Sequence, residues 1–359
     1  MKILQVITSM RMGGAEKLIT ELVPLLNGKG HQVDVLLFDG TDTPLRERLE
    51  QEGSAEVFDL GDGSIYTPTH ILGLVPYIRY YDIVHTHNTA CQFYVPLAKL
   101  CSRAKVKLVT TEHNTDNRRR GARWFRPIDQ WMYRQYEAVI AVSQQTADAL
   151  SAYMGRADIH VVYNGIDVET FRTALPIRER QAGKTVLTMV AAFRDQKDQD
   201  TLLRALALLP EQYSVWLVGD GKRRTLCEQL ARELGVSQRV VFWGIRDDVE
   251  RILKASDIVV MSSHYEGFGL SVVEGMAAGR PVIASDVDGL REVVGGAGLL
   301  FAAGNEGELA EVILRLESDE VLSQAVAERC TKRAAEYDIY QMVERYERIY
   351  LSVNGTNKR

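Results

Sequence analysis

The chain has 359 residues, of which 46% are hydrophobic and 25% charged, and its formal net charge at pH 7 is −5. This length predicts two domains, each with its own core. The net charge gives no general attraction to nucleic acid. No apolar run reaches the roughly 20 residues that a membrane-spanning helix needs. The four cysteines are scattered without a C-x-x-C pair, which favours free thiols in a reducing cytoplasm over a disulfide framework or a zinc site. We expect no metal site and no cofactor.

Short apolar runs alternate with helical patterns along the first half of the chain. The helical pattern of Ala15–Asn27, for example, carries a stripe of Leu18, Leu22, Leu25 and Leu26. Strand–helix alternation is typical of parallel strands with right-handed crossovers, so it predicts a doubly wound α/β sheet. The predicted strands are Ile3–Thr8, Gln32–Phe38, Ile83–Thr86, Lys107–Thr111, Ala138–Val142 and Ile159–Tyr163.

The alternation lapses over Arg172–Lys184, which is polar and contains Pro176, and we predict a linker there. It then resumes, which predicts two Rossmann-like domains, an N-terminal one over 1–172 and a C-terminal one over 173–337. Ligands of open α/β sheets bind beyond the carboxyl ends of the strands, so we expect the site in a cleft between the domains. The strands predicted in the second half are Val186–Ala191, Val215–Val218, Val240–Phe242, Ile258–Met261, Val282–Ser285 and Gly298–Phe301.

Three histidines lie at the ends of predicted strands in the first half. His113 follows the strand Lys107–Thr111, so we expect it at the carboxyl end, facing the cleft. A histidine there is either part of a site or a buried residue whose ring nitrogens are satisfied. His85 and His87 alternate at the end of another strand, which we interpret as one side chain on each face of the sheet. Neither has a second ligand at metal spacing.

A basic and aromatic stretch lies between Pro96 and Tyr136, where ten lysines and arginines face only three acids. Basic residues mixed with aromatic ones suit an anionic bilayer surface. The alternative is a charged helix whose aromatic residues face the core. Nucleic acid is not expected, because no recognised binding module is present. The large residues interleaved with the arginines are Trp124, Phe125, Trp131, Met132 and Tyr133.

The stretch Ser262–Val287 combines a glycine turn with two carboxylates. It passes from a strand through the turn Glu266–Gly269 into a helix predicted from Leu270 to about Ala278. Such a turn aims several backbone N–H groups at one point, which suits a phosphate. Glu266 and Glu274 are eight residues apart and can bracket a ligand by accepting hydrogen bonds from sugar hydroxyls. The alternative is a loop glutamate plus a capping acid near a helix N-terminus.

Glu266 and Glu274, with Gly267, Gly269 and the following Gly279–Val282, resemble the E-x7-E signature of the retaining glycosyltransferases of family 4. The resemblance covers nearly the whole chain and implies the GT-B architecture, with two Rossmann-like domains facing across a cleft. It also implies that the last helix, predicted over 338–352, crosses back to pack on the N-terminal domain.

The resemblance implies roles in the C-terminal domain. Glu274 would accept hydrogen bonds from the donor ribose, Glu266 would hold the donor sugar, and Lys197 would neutralise the donor diphosphate. In the family's Arg-x4-Lys element Ala192 takes the arginine position, and Arg194, two residues later, can substitute if the segment is still strand. The backbone N–H groups implied to bind the diphosphate belong to Gly267, Phe268, Gly269 and Leu270.

Two features of the N-terminal domain also match the family. His113 corresponds to a histidine that lines the active site near the transferred sugar. Gly13 and Gly14 resemble the family's glycine loop, whose backbone approaches the donor phosphate and the acceptor. The alternative for these glycines is a plain strand-to-helix turn that needs positive φ angles.

The expected function is therefore retaining, metal-independent transfer of a sugar from a nucleoside diphosphate sugar, with a UDP-sugar favoured. The acceptor hydroxyl is expected on a glycan or a lipid-linked intermediate of bacterial cell-surface glycan synthesis. The protein is expected in the cytoplasm, with an anionic membrane surface at the inner face of the plasma membrane as a candidate partner. The alternatives are a non-catalytic homologue that binds nucleotide sugar and a sugar-nucleotide epimerase of the same architecture.

Overall fold

The structure is a computed structural model that describes residues 1–11, 13–51, 53, 55–113, 125–180 and 182–355. The chain divides into two compact units. Unit 1 comprises Met1–Gly165 and Ile339–Arg359, and unit 2 comprises Ile166–Asp338. The chain thus enters unit 2 after Gly165, seven residues before the boundary predicted at 172.

Unit 1 is built on a parallel sheet with helices between the strands. Strands β1 to β7 are Lys2–Ile7, Gln32–Leu37, Val57–Asp59, Ile83–His87, Lys107–Glu112, Ala138–Ala141 and Ile159–Val161. Helices α1 to α6 are Gly14–Gly28, Pro44–Gln51, His70–Tyr80, Thr89–Ser102, Arg126–Tyr133 and Gln144–Met154. Among the described residues the strand order is β3-β2-β1-β4-β5-β6-β7, and every pair is parallel. The short strand β3 was not predicted, because it has only three residues, of which two are partly buried and Asp59 is exposed.

Unit 2 repeats the same architecture with its own sheet. Strands β8 to β13 are Thr185–Val190, Tyr213–Val218, Val240–Gly244, Ile258–Met261, Val282–Ser285 and Leu299–Phe301. Helices α7 to α14 are Val168–Thr173, Gln199–Leu208, Arg224–Glu233, Val249–Ala255, Leu270–Ala277, Asp288–Val294, Glu306–Ser318 and Glu320–Ala335. The strand order in the described part is β10-β9-β8-β11-β12-β13, again parallel. The predicted pair of doubly wound α/β sheets is confirmed.

The stretch predicted as a linker is part of unit 2, and that prediction is wrong. Ile177 is buried in one core cluster with Val186 and Trp216. Its backbone N–H also donates to the carbonyl of Arg251 at 3.2 Å. One apolar side chain therefore fastens a polar segment to the unit, which the local composition does not reveal.

The last helix, α15, spans Ile339–Val353 and belongs to unit 1. Its buried stripe includes Met342, Tyr346 and Tyr350, which lie at helical spacing. These side chains share one core cluster with Leu18 and Leu22 of α1. Helices α1 and α15 therefore cover the same face of the unit 1 sheet.

Side-chain alternation along the central strands decides which residues face α15. Ile3 and Ile7 of β1 lie in the cluster that contains α15, whereas Leu4 and Val6 lie in the cluster of the opposite face. Because side chains of a strand alternate with a period of two, Gln5 must point toward α15. A polar side chain is thus buried in an apolar layer, and it needs hydrogen-bond partners there.

Candidate functional site

The loop before α11 brings several backbone N–H groups to one helix N-terminus. Gly269 is the N-cap with φ +86, a left-handed conformation that favours glycine. A Cβ there would also lie 2.6 Å from Cδ2 of Leu290. Within the described chain, the N–H groups of Gly267, Gly269 and Leu270 donate to no acceptor. The start of α11 therefore offers donors to an anion.

The loop before α11 is fixed by the packing of its buried side chain, Phe268. Phe268 is 3% exposed, and its ring meets that of Tyr337 edge-on at 5.1 Å between centroids. A Cβ on Gly289 of α12 would lie 2.2 Å from the carbonyl oxygen of Glu266, so only glycine permits this approach. The side chain of Phe268 is thus an anchor, and only its backbone remains for the predicted role in donor binding.

Glu266 and Lys197 form an ion pair at the carboxyl ends of two neighbouring strands, β11 and β8. The side chains are only 8% and 19% exposed, respectively. Ser263 Oγ donates a second hydrogen bond to the same carboxylate oxygen, at 3.1 Å. The structure thus brings together two predicted site residues that are 69 positions apart in sequence.

Three further hydrogen bonds fasten the Lys197 turn to the segment before Glu266. The backbone N–H of His264 donates to the carbonyl of Gln196 at 2.8 Å, and the Gln196 amide donates to the carbonyl of Tyr265 at 2.9 Å. Ser262 Oγ donates to the carbonyl of Asp198 at 2.7 Å. The ion pair is therefore held by its backbone surroundings. No sequence pattern indicated this role for Gln196 or Ser262.

Glu274 lies in the second turn of α11 and is 5% exposed. The alternative interpretation from the sequence is an acid that caps a helix. However, the N-cap is Gly269, and the first turn of α11 contains no acidic residue. The capping interpretation of Glu274 is therefore wrong, and its predicted contact with the donor ribose stays a prediction.

Arg194 lies in a loop after β8, not in the strand as expected. Strand β8 ends at Val190, and Arg194 is an exposed residue that precedes the 3-10 turn Asp195–Lys197. The argument that Arg194 shares a strand face with position 192 is therefore wrong. The turn at Gly219 packs against this loop, since a Cβ on Gly219 would lie 2.2 Å from the carbonyl oxygen of Ala191. A donor contact by Arg194 stays a prediction.

In unit 1, His113 follows β5 and is hydrogen-bonded to a second histidine. Its Nε2 lies 2.9 Å from Nδ1 of His87, whose Nε2 lies 2.8 Å from Oε1 of Gln5. Burial lowers the pKa of His113 to about 4. Burial also holds the pKa of His87 and that of His85 well below the usual value. All three rings are thus neutral near pH 7.

His85 and His87 lie on the same face of the sheet, with ring centroids 4.3 Å apart. The prediction of opposite faces is wrong, because residues i and i+2 of a strand point the same way. His85 bonds to the Tyr350 hydroxyl at 2.6 Å and to Thr111 Oγ1 at 2.8 Å. His85 is thus a buried residue with both ring nitrogens satisfied.

The glycine loop does not need glycine for its backbone conformation. Gly13 is extended at φ −166, and neither Gly13 nor Gly14 has a positive φ. The interpretation as a turn that requires positive φ angles is therefore wrong. No described atom lies within 4 Å of a Cβ built on Gly14, so this loop leaves open space beside the start of α1.

Much of the basic and aromatic stretch lies outside the described residues, including Arg118, Arg119, Arg120, Arg123 and Trp124. Of the described part, Met132 and Tyr133 are buried, and Trp131 packs against the same core cluster. These three side chains face the core, as the alternative interpretation predicted. No helix in the described ranges has both the length and the apolar character required to cross a bilayer. Nor do His, Cys, Asp and Glu residues of those ranges form a group of three that could hold a metal ion.

Family models match both halves of the chain. The model of Glycosyltransferase Family 4 matches residues 12–170, and that of Glycosyl transferases group 1 matches residues 170–337. N-acetyl-alpha-D-glucosaminyl L-malate synthase of Bacillus anthracis is 30% identical over 77% of this chain and 76% of its own length. The putative glycosyltransferase EpsD of Bacillus subtilis is also 30% identical, over 75% of this chain and 76% of its own.

The chain is also similar to solved structures. Anabaena HepE in complex with UDP and glucose is 26% identical, with a TM-score of 0.87, over 98% of this chain and 100% of that chain. The same protein in complex with UDP-glucose is 25% identical, with a TM-score of 0.86, over 98% and 99% of the two chains.

Proposed function

The chain belongs to family 4 of the glycosyltransferases and has the GT-B fold, and from this premise we propose a specific reaction. It transfers a sugar from a UDP-sugar to an acceptor hydroxyl with retention of anomeric configuration. The acceptor is a glycan or a lipid-linked intermediate. UDP is favoured because HepE, which is similar over its whole length, was solved with UDP and with UDP-glucose.

The observation that carries this proposal is the Lys197–Glu266 pair beside the start of α11. Negative charge develops on the leaving diphosphate as the glycosidic bond breaks. Preorganised donors at that point lower the barrier, and removing one such donor typically costs about 10²–10³-fold in turnover. Lys197 and the N–H groups of Gly267, Gly269 and Leu270 are such donors.

Glu266 has a second role in this proposal. Its carboxylate already accepts hydrogen bonds from Lys197 and Ser263, so it orients the lysine before the donor binds. Its remaining lone pairs can accept hydrogen bonds from hydroxyls of the donor sugar. We assign Glu274 to the ribose, since paired hydroxyls are matched by a carboxylate. The acceptor proton passes to the leaving phosphate on the face from which the acceptor attacks, so no carboxylate nucleophile is required.

A donor screen tests the reaction. The purified chain is incubated with UDP-glucose, UDP-galactose, UDP-N-acetylglucosamine and GDP-mannose, with and without a glycan acceptor, and release of the nucleoside diphosphate is measured. We expect turnover with a UDP-sugar, and a loss of about 10²-fold or more in Glu266→Gln. Glu311→Gln, which changes an exposed carboxylate on α13, is the control. Tight binding of a UDP-sugar without hydrolysis or transfer would instead indicate a non-catalytic homologue.

Product analysis tests the finer parts of the proposal. Proton NMR of the new glycosidic bond should show the anomeric configuration of the donor, and an inverted product would refute retention. A lipid-linked acceptor should be used more efficiently than the same glycan without lipid. Co-sedimentation with anionic vesicles should weaken as salt is raised, because screening shortens the range of surface electrostatics.

A further inference from the structure

Beyond the reaction itself, we propose that Gln5 and Tyr350 are positioning residues that fix the tautomer of His113, so that its Nδ1 is a hydrogen-bond acceptor. This inference rests on the proposed function for its effect on turnover. The evidence is a buried chain of hydrogen bonds that runs from His113 through His87 and Gln5 to α15. We call His113, His87, Gln5 and Tyr350 the histidine chain.

The fold places the histidine chain on one face of the sheet. Gln5 lies on β1, His87 at the end of β4, and His113 just after β5, and all three point toward α15. Of these three residues, Gln5 contacts Tyr350 of α15. Gln5, His87 and Tyr350 are fully buried, whereas His113 keeps part of its surface exposed. The partly exposed end of the histidine chain is therefore His113.

Donor and acceptor roles follow from the Gln5 amide. Its Oε1 can only accept, so His87 Nε2 carries the proton of the 2.8 Å bond. Because burial keeps His87 neutral, its Nδ1 is then bare and must accept from His113 Nε2 across 2.9 Å. Neutral His113 therefore has no proton on Nδ1. That nitrogen can receive a hydrogen bond from a sugar hydroxyl, but it cannot donate one to a phosphate oxygen.

The Gln5 amide lies between Tyr350 and His87. The Tyr350 hydroxyl oxygen accepts from Gln5 Nε2 at 3.1 Å, and the amide oxygen faces His87. The same hydroxyl donates its proton to His85 Nδ1 at 2.6 Å. His85 is neutral and donates its other ring N–H to Thr111. The Tyr350 hydroxyl and the rings of His85 and His87 each use one donor and one acceptor, so the directions are mutually consistent.

The test compares Tyr350→Phe with Tyr346→Phe. The two tyrosines lie one helical turn apart on α15 and are both fully buried. Only Tyr350 contacts Gln5, whereas the Tyr346 hydroxyl lies 3.4 Å from Thr111 and is not part of the histidine chain. Gln5→Met, which removes the amide at similar size, is the second test variant. If Tyr350→Phe does not fold, Gln5→Met alone decides the result.

The direct readout is the long-range proton–nitrogen NMR spectrum of the histidine rings. We expect His113 protonated on Nε2 in the parent and in Tyr346→Phe, and partly protonated on Nδ1 in Tyr350→Phe and Gln5→Met. An Nδ1-protonated ring in the parent would overturn the proposal. So would an unchanged His113 tautomer in both test variants. This readout needs no turnover, so it stands even if the proposed reaction fails.

The kinetic readout separates positioning from general damage. Tyr350→Phe should lower kcat by about tenfold, the loss expected for one misdirected hydrogen bond, and leave KM for the UDP-sugar unchanged. In a His113→Ala background Tyr350→Phe should cause no further loss of kcat, because the ring it positions is gone. An equal loss in that background would show that the tyrosine acts structurally and would refute positioning.

Discussion

Replacing Lys197 with methionine should separate the stability of the Lys197–Glu266 pair from its function. The substitution keeps most of the apolar length of the side chain and removes its charge. Glu266 is then a carboxylate of 8% exposure that still accepts a hydrogen bond from the hydroxyl of Ser263. Adding Glu266→Gln to this variant removes the uncompensated charge at nearly constant shape.

The burial of the Lys197–Glu266 pair sets the expected loss of unfolding free energy. Removing one partner of a fully buried ion pair costs about 3–5 kcal/mol. Lys197 is 19% exposed and Ser263 still donates, so we expect a smaller loss, about 2–3 kcal/mol of unfolding free energy, for Lys197→Met. Lys197→Met/Glu266→Gln should regain most of that loss. Turnover should not recover, because both variants lack the cation at the leaving diphosphate.

The assay is urea unfolding followed by tryptophan fluorescence, with turnover measured on the same samples. Trp216 and Trp243 lie in unit 2 and report on it. If Lys197→Met is as stable as the parent, the lysine is not needed to stabilise the buried charge of Glu266. If the double variant recovers turnover, Lys197 does not act on the leaving group.

Three further predictions follow from particular contacts. Glu274→Gln should weaken UDP binding by about 10–100-fold in calorimetric titration, as expected for lost charge-assisted hydrogen bonds, and an unchanged affinity would contradict the ribose assignment. Gly289→Ala should lower the unfolding free energy by about 1–3 kcal/mol, because its Cβ would lie 2.2 Å from the Glu266 carbonyl oxygen. Gly307→Ala is the control and should not lower it, because a Cβ there would lie no closer than 3.5 Å to any described atom. Because the pKa values of His85, His87 and His113 are lowered in the folded chain, the unfolded chain binds more protons than the folded chain below about pH 6.5. Unfolding free energy should therefore fall as pH drops from about 6.5 toward 4, by up to about 1.4 kcal/mol per pH unit for each histidine. His113→Asn should reduce this slope in urea unfolding, and an identical slope would show that the ring is already charged in the folded state.

The sheets were predictable because their strands are buried on both faces and read as continuous apolar runs. The last helix was predictable from the spacing of Met342, Tyr346 and Tyr350. The linker prediction failed at Ile177, since one buried side chain among polar neighbours leaves no periodic signal. The face of His85 was predictable from strand geometry, and the error lay in how the period was applied.

The candidate site was only partly accessible from sequence. The resemblance supplied Glu266 and Lys197, but their contact joins two strands and depends on the register of the sheet. Gln5 and Tyr350 were missed as partners because 345 positions separate them in sequence. Gln5 carried a signal nonetheless, since it is a polar residue within the otherwise apolar run Ile3–Ile7. Such a residue predicts a buried partner without identifying it.

The return of α15 to unit 1 has a consequence for synthesis on the ribosome. Unit 2 is contiguous, so it can fold as soon as Ile166–Asp338 has emerged. Unit 1 must wait, because α15 supplies Met342, Val343 and Tyr346 to the cluster that α1 lines. Until then the nascent Met1–Gly165 exposes an apolar sheet face, the kind of surface that chaperones bind. The part of the chain that is made first is therefore the last to be completed.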